Sequence, residues 1–196
     1  MVLLPTKSQG KGVKFGRKLW EWLKFSKKNY KSRMYAKADS DVFICVDELM
    51  EKLRLKYLQN SERMYLGLRL VPNHLVASTI SRDVRLDEFF VILGSQLVED
   101  LLKLDFHYDT NYGGTSLGMW IQNLVKHNGP ESVRPVHAPE LFKVDGLEQM
   151  PSNQLCKYRC VYHGNYFKAS FLSLLLINCP PTALLSVPMM SFLHHF

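Results

Sequence analysis

The chain has 196 residues, of which 46% are hydrophobic and 22% are charged. These fractions are close to those of an ordinary globular domain, so the composition excludes a wholly disordered chain. The length predicts one domain, or one domain with a tail, and four cysteines are too few for a disulfide scaffold. The chain does not open with a long apolar run, so we expect no secretory signal and reduced thiols.

The formal net charge of +7 is unevenly distributed. Residues 1–37 contain eleven basic residues and one acidic residue, whereas the rest of the chain contains 14 basic and 17 acidic residues. A short polybasic segment of this kind is typical of an electrostatic contact with a phosphate-bearing partner. An anionic membrane surface and an RNA backbone are both candidates, because each attracts lysine and arginine by the same Coulomb force.

The pattern of residues 13–28 predicts a basic amphipathic helix within this segment. Its composition is typical of a helix that lies in a membrane interface, although docking of the apolar stripe on the protein itself gives the same pattern. The residues predicted to insert into the interface are Phe15, Leu19, Trp20, Trp22 and Leu23. The residues predicted to bind lipid headgroups or a nucleocapsid are Lys7, Lys11, Lys14, Arg17, Lys18, Lys24, Lys27, Lys28 and Lys31.

The organisation of the chain divides near residue 40, with a flexible basic arm at 1–40 and a globular domain at 41–196. Apolar residues at positions 46, 49, 50, 53 and 57 have helical spacing, and the alternation over Met64–Leu70 predicts a half-buried strand. The apolar set from Leu86 to Leu104 predicts the longest helix, with Gly94 as a potential break. The segment LGMWIQNLV that follows Gly113-Gly114 is predicted to form a strand.

The C-terminal third combines an irregular segment with an apolar end. Residues 127–153 contain four prolines and little periodicity, and a hairpin is predicted around His163-Gly164-Asn165. Residues 169–196 contain no Asp, Glu, Lys or Arg, but Pro180 and Pro181 interrupt the apolar run well before it reaches the length of a membrane span. We therefore expect buried strands and an apolar C-terminal cover.

Motifs of enzyme chemistry are absent from the sequence. No GxSxG, HExxH, P-loop or Rossmann glycine pattern occurs. Cys156, Cys160 and His163 fit the spacing of a structural zinc site poorly. We expect no catalytic residues, no metal and no cofactor, and infer that the protein is not an enzyme.

Several short segments in order along the chain resemble the matrix proteins of rhabdoviruses, most closely the vesiculovirus type. The basic arm is followed by DVFICVDELMEK, with Phe43, Val46, Asp47 and Glu48 at the matching positions. The strand MYLGLRLVPN and the segment TISRDV come next, and HAPELF and Tyr162-His163-Gly164 resemble later stretches of the family. The resemblance covers roughly residues 7–177.

This resemblance implies an α+β fold in which an antiparallel sheet packs on a few helices. It also implies a structural protein of the virion that lies on the inner face of the envelope, and in the host cell on the cytoplasmic side of the membrane and in the cytoplasm. The implied partners are anionic inner-leaflet lipids, the nucleocapsid of nucleoprotein and RNA, a second copy of the chain, and host factors. The implied roles are self-association, virion assembly and budding.

The candidate self-association loop is the Gly-rich segment 111–121, with Leu117, Met119 and Trp120 as contact residues. The same three residues also fit the core of a following strand. Our leading hypothesis from the sequence is a viral matrix protein. The alternative is an RNA-binding viral accessory protein that uses the same basic arm on phosphates.

Overall fold

The computed structural model describes residues 15–39, 42–69, 86–104, 113–143, 161–163 and 189–191. The helices are α1 (Phe15–Asn29), α2 (Val46–Lys52), α3 (Ser95–Leu102) and α4 (Gly113–Asn128), with a π-helical turn at Leu53–Tyr57 and 3₁₀ turns at Pro130–Ser132 and Pro139–Leu141. The strands are β1 (Met34–Ala38), β2 (Val42–Ile44), β3 (Met64–Arg69), β4 (Leu86–Gly94), β5 (Arg134–His137), β6 (Phe142–Lys143), β7 (Val161–His163) and β8 (Met189–Ser191). The predicted α+β class is confirmed.

The described strands form two sheets. The larger sheet has the order β5-β3-β4-β1-β8, and the smaller has the order β2-β7-β6. In the larger sheet the central pairs β1–β4 and β3–β4 are antiparallel, whereas β1–β8 and β3–β5 are parallel. The sheet is therefore mixed, and the prediction of an antiparallel sheet holds only for its centre. A parallel partner needs a long crossover connection, and the chain between β3 and β5 supplies one by passing through β4, α3 and α4.

Alternation along the strands divides the core into two layers. On β1, Tyr35 contributes to a cluster with α1, α3 and α4, whereas Ala36 contributes to a cluster with α2 and the π-helical turn. The same division recurs on β4 between Leu93 and Ile92. Because successive side chains of a strand point to opposite faces, α1, α3 and α4 cover one face of the sheet and α2 covers the other.

Two predicted elements have the wrong type. The chain from Leu86 forms strand β4 as far as Gly94, and only then turns into helix α3. The unbroken apolar run Phe89–Leu93 suits a strand that is buried on both faces, and it outweighs the helical spacing of the wider set. The segment predicted as a strand after Gly114 belongs to α4, in which Leu117, Trp120, Ile121 and Leu124 have the i, i+3, i+4, i+7 spacing of a helix face.

The predicted boundary near residue 40 does not separate two structural units. Helix α1 and strand β1 both precede it, yet α1 packs on α3 and α4, and β1 pairs along its whole length with β4. Lys37 of β1 is itself buried and forms an ion pair with Asp39. The described part of the basic arm is therefore integral to the fold, while residues 1–14 lie outside the described residues.

A polar cluster joins the π-helical turn to the 3₁₀ turn at Pro139–Leu141. Lys56 Nζ and Tyr57 Oη both donate hydrogen bonds to Glu140 Oε1. Burial raises the pKa of the Glu140 carboxyl, but the two hydrogen bonds outweigh this effect and lower the pKa from 4.5 to about 2. The cluster thus favours the ionised carboxylate in the folded state.

Replacing Glu140 with glutamine is expected to flatten the acid limb of the stability profile. Because the folded-state pKa is lower than the unfolded-state value, the carboxylate contributes stability above about pH 4.5, and this contribution is lost as the pH falls to about 2. Urea unfolding across this pH range would measure the change, with Glu51→Gln on the exposed surface of α2 as the matched control. Parallel profiles for Glu140→Gln and the wild type would contradict the assignment.

Candidate functional site

Helix α1 presents a line of cations on its solvent side. Arg17, Lys24 and Lys28 are exposed, and their spacing of i, i+7 and i+11 places them on one stripe of the helix that extends roughly 16 Å along its axis. Glu21 is the acidic residue on this stripe, and its carboxylate lies 3.6 Å from Lys24 Nζ. We call Arg17, Lys24 and Lys28 the α1 cation stripe.

The opposite side of α1 is buried, which corrects the predicted interfacial insertion. The exposed fractions are 1% for Leu19, 3% for Trp20, 5% for Trp22 and 0% for Leu23. Trp20 packs edge-on against Trp120 of α4, with ring centroids 5.0 Å apart. These four side chains are inside the core because α3 and α4 already supply the apolar surface that the stripe needs. Phe15, the fifth residue predicted to insert, is the first residue of α1.

The packing of α1 fixes the helix before any partner binds. An isolated helix of this length is marginal in water, and the buried tryptophans and leucines supply the tertiary stabilisation that it lacks. Lys27 Nζ adds an ion pair 3.2 Å from Glu99 Oε2 of α3, and the hydrogen bond from Lys27 lowers the pKa of Glu99. The α1 cation stripe is therefore displayed on a rigid element.

The residues of the predicted basic set differ in their exposure in the structure. Arg17, Lys24, Lys28 and Lys31 are exposed, Lys18 is half-buried, and Lys27 is engaged with α3. Lys7, Lys11 and Lys14 lie outside the described residues. The sequence placed all nine residues in one set, because the position of Lys27 against Glu99 depends on the docking of α1 on α3.

The predicted self-association residues do not form an exposed group. Leu117 and Trp120 are 1% and 2% exposed and belong to the core, while Met119 is half-buried on α4. The prediction is therefore wrong for Leu117 and Trp120, because α4 turns both side chains toward α1 and the sheet. Among the described residues, the large hydrophobic side chain that is exposed is Leu55 of the π-helical turn, at 80%. The sequence indicates this exposure, because Leu55 is not one of the apolar residues with helical spacing at 46, 49, 50, 53 and 57.

The described residues offer neither a metal site nor a membrane-spanning helix. They contain no group of three or more histidine, cysteine, aspartate or glutamate side chains that could hold a metal ion. Within the same ranges, no helix has both the length and the apolar character needed to cross a membrane. Cys45 is disulfide-bonded, so the expectation of a reduced thiol does not hold at this residue, and the other three cysteines lie outside the described residues.

No protein-family model matches the chain, and a search of curated proteins gave no match either. The features that bear on function are therefore the α1 cation stripe, the charge distribution and the fold.

Proposed function

We propose that the protein is a structural protein of the viral matrix type, which binds an anionic membrane surface and the nucleocapsid, self-associates, and promotes virion assembly and budding. The observation that carries the proposal is the α1 cation stripe, whose three exposed cations are held on a helix that buries Leu19, Trp22 and Leu23 on its other side. The proposed location is the inner face of the virion envelope and, in the host cell, the cytoplasm and the cytoplasmic side of the membrane.

The proposed membrane contact is electrostatic. Each lysine or arginine near an anionic leaflet contributes about 1 kcal/mol, so the three cations of the stripe supply about 3 kcal/mol, part of which Glu21 on the same stripe offsets. The basic residues at 7, 11, 14 and 31 add to this attraction. A straight stripe on a rigid helix suits a planar surface, because all three charges approach it together. Insertion of the α1 tryptophans is not part of this contact, since their burial in the core would first have to be undone.

The same cations support the nucleocapsid contact and the alternative function. An RNA-binding accessory protein would use the stripe on phosphates, with a steep dependence on salt. Base stacking would not involve Trp20 or Trp22, because both rings are buried. The tryptophans therefore do not discriminate between lipid and RNA, and the two functions must be separated by the partner that binds.

Flotation of the full chain with vesicles tests the proposal. We expect co-flotation with phosphatidylserine vesicles at low salt, none with phosphatidylcholine vesicles, and a marked loss at physiological salt, because exposed charges are screened over about 8–10 Å. Absence of flotation with phosphatidylserine vesicles, together with salt-sensitive binding of RNA, would replace the proposal with the RNA-binding function.

A further inference from the structure

A cavity of about 310 Å³ lies between the α2 segment and the sheet, on the face opposite α1. Its floor is formed by Ala36 of β1 and Ile92 of β4, which are cross-strand partners in the β1–β4 register. Leu49 and Leu53 line the side contributed by α2 and the π-helical turn. The cavity exists because alanine is the floor residue on β1, where a larger side chain would fill the space.

The lining of the cavity is apolar and adaptable. Met34 and Met50 are half-buried at its wall, and an unbranched thioether side chain can adjust to the shape of a bound apolar group. A volume of 310 Å³ is at the lower end of the roughly 300–1,000 Å³ typical of small-molecule pockets. The space therefore suits a slender apolar chain rather than a bulky ring system.

Two arginines lie on the solvent side of the cavity. Arg33 and Arg54 both line it and are both exposed. Within the described parts of the chain, neither guanidinium has an ion pair or a hydrogen bond to another side chain. A guanidinium that is free of partners is well suited to bind a carboxylate or a phosphate, for which it offers paired N–H donors.

We propose that this cavity binds a single acyl chain that carries an anionic head group. The apolar floor and walls would take the chain, and Arg33 and Arg54 would bind the carboxylate or phosphate at its end. The combination selects this class of ligand, because a neutral apolar molecule would leave the two guanidiniums unused and a free phosphate ion would leave the apolar cavity unfilled. The site lies across the sheet from the α1 cation stripe, so the proposal does not depend on the proposed function.

Calorimetric titration of the full chain tests the proposal without membranes. Dodecanoate and dodecyl phosphate would be compared with dodecyltrimethylammonium, which has the same chain and the opposite charge, all below the concentrations at which they form micelles. We expect saturable binding of one molecule of either anion, and binding of the cation that is weaker by at least roughly tenfold. Absence of saturable binding, or equal binding of the cation, would overturn the proposal.

Two variants locate the binding to this cavity. Ala36→Phe places a ring in the cavity and should abolish binding, and Arg33→Gln with Arg54→Gln should weaken binding of both anions by at least roughly tenfold. Lys103→Gln with Lys126→Gln removes the same charge from exposed positions elsewhere and should bind like the wild type. If Ala36→Phe fails to fold, the exposed arginine pair carries the test, and equal affinities for the arginine and lysine pairs would refute the site.

Discussion

Replacing Gly94 with alanine is expected to destabilise the fold by more than about 3 kcal/mol, beyond the usual cost of one added methyl group. A Cβ at this position would lie 2.5 Å from the Glu62 carbonyl carbon, and closer still to the carbonyl oxygens of Ser61 and Glu62. These contacts are with backbone, so neither neighbour can turn away as a side chain would. The backbone dihedrals of Gly94 are ordinary for any residue. Glycine is required here because the backbone of Ser61 and Glu62 leaves no room for a Cβ atom.

The contact between Gly94 and Glu62 also positions the first turn of α3. Gly94 supplies no side-chain cap, and instead the Ser95 amide donates to Arg33 O at 2.9 Å and the Leu97 amide donates to Glu62 O at 3.0 Å. Forcing Glu62 away would break the second bond as well as the β4–α3 turn. Urea unfolding of Gly94→Ala would measure the loss, with Gly67→Ala as a milder control because its nearest neighbours are 3.2 Å away. Equal stability of Gly94→Ala and the wild type would contradict this packing.

Replacing Trp20 with alanine is expected to destabilise the protein by about 3–5 kcal/mol, the usual cost of truncating a large buried aromatic side chain. Trp20 is 3% exposed and packs against Trp120, so its removal leaves a cavity between α1 and α4. If Trp20 instead lay free to insert into a membrane, its removal would change the free energy of unfolding by no more than a surface substitution does. Lys28→Gln on the exposed side of α1 is the matched control, with an expected change within about 0.5 kcal/mol.

A double-mutant cycle would assign part of this effect to the tryptophan pair. The centroids of Trp20 and Trp120 are 5.0 Å apart at an interplanar angle of 72°, an edge-to-face geometry that contributes about 0.5–1.5 kcal/mol beyond buried area. The unfolding free energies of Trp20→Ala, Trp120→Ala and the double variant should therefore deviate from additivity by this amount. Strict additivity would place the two rings out of contact.

The elements that the sequence predicts well are those whose local pattern and tertiary setting agree. The alternation that begins at Met64 gives β3, and the spacing from Val46 to Tyr57 gives α2 and its π-helical extension. The strand β4 was predicted as a helix because its apolar residues fit both periods, and only burial on both faces decides between them. Helix α4 shows the helical spacing, but its first two residues, Gly113 and Gly114, favoured a loop followed by a strand.

The sequence predicted the basic character of the candidate site. It did not predict that α1 packs on α3 and α4. The concentration of lysine and arginine is a property of composition, and Arg17, Lys24 and Lys28 of the predicted set are exposed on α1. The apolar stripe with Trp22 and Leu23 is equally suited to a membrane and to a protein surface. The docking surface that receives it comes from α3 and α4, which lie far along the chain, so local pattern could not distinguish insertion from burial. The cavity over Ala36 is a tertiary feature for the same reason.

Flotation with phosphatidylserine vesicles at low salt tests whether α1 makes the membrane contact. Three forms of the full chain are compared: the wild type, Lys24→Gln with Lys28→Gln, and Lys52→Gln with Arg63→Gln. The two double variants lose the same charge, but Lys24 and Lys28 belong to the α1 cation stripe, whereas Lys52 lies on α2 and Arg63 in the turn before β3. We expect the stripe variant to bind roughly thirtyfold more weakly than the wild type, at about 1 kcal/mol for each cation, and the other variant to stay near the wild type. Equal loss in both variants, or no loss in either, would contradict the assignment of the membrane contact to α1.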